Sequence, residues 1–121
     1  MAVEDVSIID ESILDSYRVL QDEGQPDIVT EFIDVYLEDI PSRMDRLRKA
    51  VAERNVAEIR SAAHAIKGSS GSVGAVLVSG VCAQLESNAR AGSADGSDRL
   101  FTDLEGEMSR ANQELQRHRK P

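Results

Sequence analysis

Apolar residues recur every three or four positions along most of this chain, which is the spacing of helices that bury one side. The clearest stripe, near the C-terminal end, comprises Leu100, Leu104, Met108, Ala111 and Leu115. Similar stripes run through three further long segments and one short leading segment, and no segment shows the alternation typical of a strand. The sequence therefore predicts an all-α fold, an antiparallel up-and-down four-helix bundle with a short additional N-terminal helix.

Capping residues, glycine and proline mark the first two predicted helices. Asp10 is placed to cap the short leading helix, and Gly24 to end it. The apolar side of this helix is predicted to comprise Ile13, Leu14, Tyr17 and Leu20. Pro26 suits the first turn of the second helix. Because the apolar stripe of that helix keeps its spacing across Pro41, we expect one helix, kinked at the proline. The stripe comprises Val29, Phe32, Ile33, Tyr36, Leu37, Ile40, Met44, Leu47 and Val51.

The remaining boundaries are set by a capping pair and a polar loop. Asn55, with a glutamate three residues later, is placed to cap the third helix. A polar loop at 91–97 separates the fourth helix from the fifth. The 121 residues suit a single domain, 1–121. Within it, residues 1–9 are expected to be loose and residues 117–121 to form a basic tail.

The charge of the chain argues against nucleic-acid binding. The formal net charge is −8, whereas a nucleic-acid backbone calls for clustered cations. Residues 1–40 carry 12 acidic side chains and one basic side chain, while residues 41–121 carry 10 and 13. The mildly basic second part either favours an acidic partner surface or reflects ordinary charge scatter over solvated helices.

The single cysteine indicates the redox state of the compartment in which the protein works. Cys82 has no partner within the chain for a disulfide, which fits a reducing environment. It lies on an apolar stripe, so we expect a buried, inert thiol. The sequence contains no apolar run of 18 residues and no basic signal-peptide region at the N-terminus. These features predict a cytoplasmic protein that does not enter a membrane.

His64 is the most prominent candidate for chemistry. On a helical wheel it lies about 125° from the centre of the apolar stripe, so its imidazole is expected to face water. Lys67, Gly68 and Gly71 follow at positions i+3, i+4 and i+7, where helix neighbours meet. Glycine in a helix interior costs about 1 kcal/mol relative to alanine, so two glycines beside the histidine indicate that something large approaches closely. Arg60 either adds positive charge to this face or is an ordinary solvated arginine.

The segment His64-Ala-Ile-Lys-Gly-Ser-Ser, followed by Gly-Ala, resembles the His-x-x-Lys-Gly-x-x motif of the histidine-phosphotransfer (HPt) domains of two-component phosphorelays. The resemblance extends to residues 31–41 and 81–86. It implies that His64 is phosphorylated, that Lys67 is the nearby cation and that Gly68 admits the partner. It also implies a phosphoryl carrier without kinase activity of its own, whose partners are response-regulator receiver domains or a hybrid sensor histidine kinase. No cofactor of the chain's own is implied, because Mg²⁺ comes from the partner receiver.

Other chemistries fit the sequence less well. A zinc site needs three or four converging ligands, but the only other histidine is His118, near the C-terminal end. Ser69 and Ser70 have no acid-base relay at a suitable spacing, and the nearby glycines lack the context of a nucleotide-binding loop. The alternative left open is a helical adaptor that docks a partner on this helix without accepting phosphate. No long heptad seam is present, so a monomer is expected.

Overall fold

The computed structural model describes residues 7–121, which contain five α-helices. In chain order they are α1 (Glu11–Arg18), α2 (Ile28–Ala52), α3 (Val56–Ser72), α4 (Val76–Arg90) and α5 (Ser97–Arg117). Residues 7–121 contain no β-strand. The predicted all-α class is confirmed.

The four long helices form a bundle that closes on itself. α2 packs on α3, α3 on α4, α4 on α5, and α5 returns to α2, with the most extensive interface between α3 and α4. Successive long helices are joined by short links at 53–55, 73–75 and 91–96, so neighbours in the chain run antiparallel. α1 packs against α2 and is the predicted additional helix.

The interior of the bundle is mainly aliphatic. The largest fully buried side chains are Leu14, Ile33, Leu47, Ile59, Ile66, Leu85, Leu104 and Leu115. Tyr36 and Ser70 add a polar pair, with their hydroxyl oxygens 2.8 Å apart. Burial raises the pKa of Tyr36 to about 12, so its phenol is neutral. Cys82 is fully buried, as expected, and burial raises the pKa of its thiol to about 12.

α2 is a single helix through Pro41, as the unbroken stripe predicted. It begins at Ile28, two residues after the proline that was expected in its first turn. The Asp27 side chain accepts the backbone N–H of Thr30, 3.0 Å away, and is therefore the N-cap. Pro26 lies before this cap and not in the first turn. The prediction for Pro26 was wrong because an aspartate acceptor, which satisfies an otherwise unpaired N–H, determines where the helix starts.

α1 is shorter than predicted. Asp10 caps it as expected, and its carboxylate accepts the backbone N–H of Ser12. The helix then ends at Arg18, well before Gly24. Leu20, assigned to the apolar side of this helix, is 64% exposed because the chain has already left the helix there.

The turn between α3 and α4 holds α1 across one end of the bundle. The backbone N–H of Asp10 donates to the carbonyl of Gly74 at 2.8 Å. The hydroxyl of Tyr17 donates to the carbonyl of Ser72 at 2.6 Å. Gly74 has a φ of +78°, and a Cβ there would lie only 2.6 Å from the carbonyl oxygen of Asp10. This close approach therefore requires glycine.

Two apolar residues near the N-terminal end lie differently from the prediction. Residues 1–9 were expected to be loose. Residues 1–6 of this segment lie outside the described part of the chain. Ile9, in contrast, is 3% exposed and belongs to the core. Phe32, assigned to the buried stripe of α2, is 40% exposed. It lies on the flank of that stripe, where its ring packs on Tyr17 with the ring centroids 4.5 Å apart.

The basic tail predicted for 117–121 is tied to the bundle. Arg117 is the last residue of α5. The guanidinium of Arg119 forms an ion pair with the Asp34 carboxylate of α2. The backbone N–H of Lys120 donates to a threonine hydroxyl in the first turn of α2 at 2.8 Å. These contacts connect the last residues of the chain to the start of α2.

Candidate functional site

α3 holds His64 on the outward side of the bundle. The helix begins at the predicted cap, where the side chain of Asn55 accepts the backbone N–H of Glu58 at 3.1 Å. The inward side of α3 is buried through Ile59, Ala62, Ala63, Ile66 and Ser70. The side chain of His64 is 68% exposed, on the side where the helical wheel places it.

The two glycines that follow His64 lie in different surroundings. A Cβ on Gly68 would meet nothing within 4 Å, so the surface one turn beyond the imidazole is open. A Cβ on Gly71 would lie 3.6 Å from the hydroxyl oxygen of Ser79 on α4. That hydroxyl donates to the carbonyl of Lys67 at 3.1 Å. Gly71 therefore lies toward α4, and the space beside the histidine comes from Gly68.

An open depression of about 450 Å³ lies beside the imidazole, between α3 and α4. It is lined by Ala57, Arg60, Ser61, His64, Glu86 and Arg90. Arg60 is thus beside the candidate site, where the sequence left its role open. The two arginines make the rim of the depression positive, which suits an anionic group.

Glu86, in α4, connects the charged residues of this site. Its carboxyl oxygen Oε2 lies 2.9 Å from Nδ1 of His64 and 2.9 Å from a guanidinium nitrogen of Arg90. Its other oxygen, Oε1, lies 2.6 Å from the ammonium of Lys67. The side chain of Glu86 is only 4% exposed, whereas Lys67 and Arg90 are 36% and 58% exposed. One buried carboxylate therefore holds three more exposed nitrogen-bearing groups.

The protonation of Glu86 determines the orientation of the imidazole. The hydrogen bond from Lys67, and further one from His64, lower the pKa of Glu86 against the opposing effect of burial. The carboxylate is ionised at neutral pH and can only accept hydrogen bonds. His64 must therefore donate through Nδ1, which in the neutral ring leaves an unprotonated Nε2 on the solvent side. An exposed imidazole nitrogen with a lone pair is a nucleophile.

Sequence reasoning missed Glu86, because a glutamate in an amphipathic helix ordinarily faces water. The spacing did carry a signal. Glu86 follows Cys82 by four residues and precedes Ala89 by three, so it continues the buried stripe of α4. Arg90 follows Glu86 by four residues, a distance at which helical side chains meet.

Residues 7–121 contain neither a cluster of metal-binding side chains nor a helix able to span a membrane. No group of three or more histidine, cysteine, aspartate or glutamate side chains is arranged to hold a metal ion in this part of the chain. Among the described helices, none is both long and apolar enough to cross a membrane.

Comparison with known proteins identifies the family. Residues 31–114 match the model of the Hpt domain. The chain is 32% identical to histidine-containing phosphotransfer protein 4 of Arabidopsis thaliana over 102 residues, which covers 82% of this chain and 80% of that protein. It is 28% identical to histidine-containing phosphotransfer protein 2 of the same plant over 118 residues, or 92% of this chain and 76% of that protein.

Solved structures agree with this match. The fold resembles histidine-containing phosphotransfer protein B from Pseudomonas aeruginosa PAO1, with a TM-score of 0.79 and 29% identity over 94% of this chain and 99% of that one. A histidine-containing phosphotransfer protein from Medicago truncatula gives a TM-score of 0.78 and 27% identity over 97% of this chain and 84% of that one. The chain therefore belongs to the Hpt domain family of histidine-containing phosphotransfer proteins, which act in phosphorelays.

Proposed function

We propose that His64 is the residue that carries the phosphoryl group in this chain. The observation that supports it most strongly is the hydrogen bond of 2.9 Å between Nδ1 of His64 and the buried carboxylate of Glu86. This bond fixes the ring and leaves Nε2 exposed with its lone pair. The proposal is further supported by Lys67, a cation that shares Glu86 with the imidazole, and by Gly68, which leaves open surface one turn beyond the ring.

In the proposed step, Nε2 attacks the phosphorus of an aspartyl phosphate on a partner. The bond from phosphorus to the aspartate oxygen breaks, and the aspartate leaves as a carboxylate. Such transfers depend mainly on positioning and on stabilisation of charge. The bundle holds the imidazole on a rigid helix, while Lys67, Arg60 and Arg90 supply positive charge around it. The reverse step returns the phosphoryl group to an aspartate.

A groove between α2 and α3 is the proposed docking surface for the partner. Its cavity volume is about 400 Å³, and its lining includes Tyr17, Phe32 and Val35 on one side and Ser69 on the other. Phe32 and Val35 are 40% and 56% exposed and line the same groove, and contiguous exposed apolar surface is typical of interaction sites. Ser69 is five residues beyond His64, so a partner seated in this groove also covers the open surface at Gly68.

The partners we propose are response-regulator receiver domains or a hybrid sensor histidine kinase, and the chain itself is a carrier without autonomous kinase activity. We assign Mg²⁺ to the partner receiver, because the acidic side chain nearest the imidazole, Glu86, is already bound to Lys67 and Arg90. The buried, unpaired Cys82 fits a reducing compartment, and we place the reaction in the cytoplasm, with the chain as a monomer.

The test is phosphoryl transfer from a labelled, phosphorylated receiver domain to three forms of the chain: wild type, His64→Gln and His118→Gln. The last variant is a matched control, because it removes the other histidine of the chain. We expect acid-labile, base-stable label on the wild type and on His118→Gln, and none on His64→Gln. Label on His64→Gln would refute the assignment. Binding of a receiver without any label on the wild type would favour the adaptor.

A further inference from the structure

The hydrogen bond between His64 and Glu86 also bears on the phosphorylated state. Nδ1 faces the buried carboxylate at 2.9 Å, and the opposite ring nitrogen, Nε2, faces solvent. Phosphorylation at Nε2 leaves the contact between Nδ1 and Glu86 in place. The carboxylate therefore remains beside the ring after the phosphoryl group has been added.

The proton on Nδ1 decides how easily that phosphoryl group leaves. When Nδ1 carries a proton, the bond between Nε2 and phosphorus breaks with its electron pair going to Nε2, and the leaving group is a neutral imidazole. The phosphorus forms its new bond to an oxygen of a receiver aspartate or of water. When Nδ1 carries no proton, the same cleavage produces an imidazolate anion, which is a far poorer leaving group.

We propose that Glu86 is a positioning residue that keeps the proton on Nδ1 of phosphorylated His64, and that it thereby shortens the lifetime of the phosphorylated protein. The inference rests on the proposed function of His64. A negative charge within hydrogen-bond distance favours the protonated, positively charged ring. The chain is then suited to passing a phosphoryl group on quickly and poorly suited to storing it.

The other charges around the ring act in the opposite direction and are partly held by Glu86. They are the cations Arg60 and Lys67 on α3 and Arg90 on α4. On α2, Arg46 pairs with Glu58 and donates to Ser61, which lines the same depression as His64. Loss of the Glu86 charge leaves Arg60, Lys67 and Arg90 beside the ring without their shared anion, which disfavours the proton on Nδ1 and stabilises the bound phosphate.

The experiment compares the wild type with Glu86→Gln, which keeps the size of the side chain and removes its charge. Glu105→Gln is the matched control, because Glu105 lies on α5 and pairs with Arg48 of α2. Each protein is loaded chemically with phosphoramidate, and loss of the phosphoryl group is followed by phosphorus NMR from about pH 5 to pH 9. We expect phosphorylated Glu86→Gln to last about tenfold longer than wild type near neutral pH. We also expect its rate of loss to begin rising at a lower pH as acid is added.

The pH profile separates this role from a purely structural one. A looser site without a change in ring protonation would alter the rate by the same factor at every pH. Equal lifetimes and equal profiles for wild type and Glu86→Gln would overturn the inference. If Glu86→Gln proves poorly folded by circular dichroism, the pH titration of the phosphorus signal in wild type gives the test. That signal must then titrate at higher pH than the same signal in chemically loaded wild type that has been unfolded in urea.

Failure of the proposed function gives a different result. In that case the receiver transfers nothing to His64 in wild type, whatever the lifetime of chemically loaded protein. Transfer from the receiver together with identical profiles for the two proteins refutes only the role of Glu86.

Discussion

The ammonium of Lys67 lies 2.6 Å from Oε1 of Glu86, so the cation that follows His64 on α3 is bound to a carboxylate before any phosphate arrives. Arg90 is bound to the other oxygen of the same group at 2.9 Å. An incoming phosphoryl group therefore shares these cations with Glu86. The positive charge at the site is kept in position, and part of its attraction for phosphate is already satisfied.

Replacement of Lys67 by methionine is expected to slow transfer from a phosphorylated receiver about fivefold, because one partly solvated charge contributes on the order of 1 kcal/mol. Transfer persists because Arg60, Arg90 and the nucleophile remain. Single-turnover transfer rates measure the effect, with Lys49→Met on α2 as the charge-matched control. A loss as complete as that of His64→Gln would assign Lys67 an essential role and contradict this prediction.

Substitutions of Gly68 are expected to affect stability and phosphoryl transfer in different ways. A Cβ at this position meets nothing within 4 Å, so Gly68→Ala removes the helical cost of glycine and raises the free energy of unfolding by up to about 1 kcal/mol. Gly68→Leu keeps the fold but places a large side chain where the partner approaches, and transfer slows strongly. Urea unfolding and receiver transfer are the two measurements.

The control for Gly68→Leu is Gly80→Leu, because Gly80 is exposed on α4 and equally unobstructed. It is expected to leave transfer unchanged. Wild-type transfer by Gly68→Leu would show that the partner does not approach over this glycine.

Gly74 is expected to be among the least replaceable glycines of the chain. Gly74→Ala combines a φ of +78° with a Cβ 2.6 Å from the carbonyl oxygen of Asp10. We expect a loss of about 3 kcal/mol in the free energy of unfolding, since the turn that holds α1 must shift. Gly92→Ala shares the left-handed backbone, with a φ of +86°, but has open space around it. It is expected to cost about 1 kcal/mol, and equal losses in the two variants would contradict the steric explanation.

The periodicity of the sequence was sufficient for the fold and for the outward direction of His64, because both depend on one helix at a time. The apolar stripe of α3 locates the core, and a residue far from the stripe has to face water. Asn55 and Asp10 could be recognised as caps for the same reason, since a cap acts on N–H groups two or three residues away.

Features that depend on two helices were beyond this reasoning. Glu86 is 22 residues from His64, and only the packing of α4 on α3 brings the carboxylate to the ring. Arg119 is 85 residues from Asp34, so a tail that is basic in sequence gave no sign of its anchor on α2. The position of α1 across the end of the bundle belongs to the same class, because it depends on contacts with Ser72 and Gly74.

Acid is expected to weaken the wild type more than Glu86→Gln. The hydrogen bond from Lys67 is the main reason that the pKa of Glu86 lies below its ordinary value of 4.5 in the folded chain. The ionised carboxylate thus contributes stability that is fully present above the pKa of Glu86 in the unfolded chain. This stability is lost as the pH falls through the pKa of Glu86 in the folded chain. Urea unfolding of both proteins, at pH 7 and at stepwise lower pH to about 3, gives the difference in the free energy of unfolding.

The difference in the free energy of unfolding between wild type and Glu86→Gln is expected to shrink as the pH falls below 4.5, the ordinary pKa of this carboxyl group. The pKa values of Asp27 and Asp34 are also lowered, by hydrogen bonds from Thr30 and Arg119 respectively. Both aspartates titrate in both proteins, so their contributions cancel in the difference. A difference that stays constant from pH 7 to pH 3 would mean that Glu86 is no more acidic in the folded chain than in the unfolded one. The folded chain would then not favour the ionised form of Glu86, on which the orientation of His64 depends.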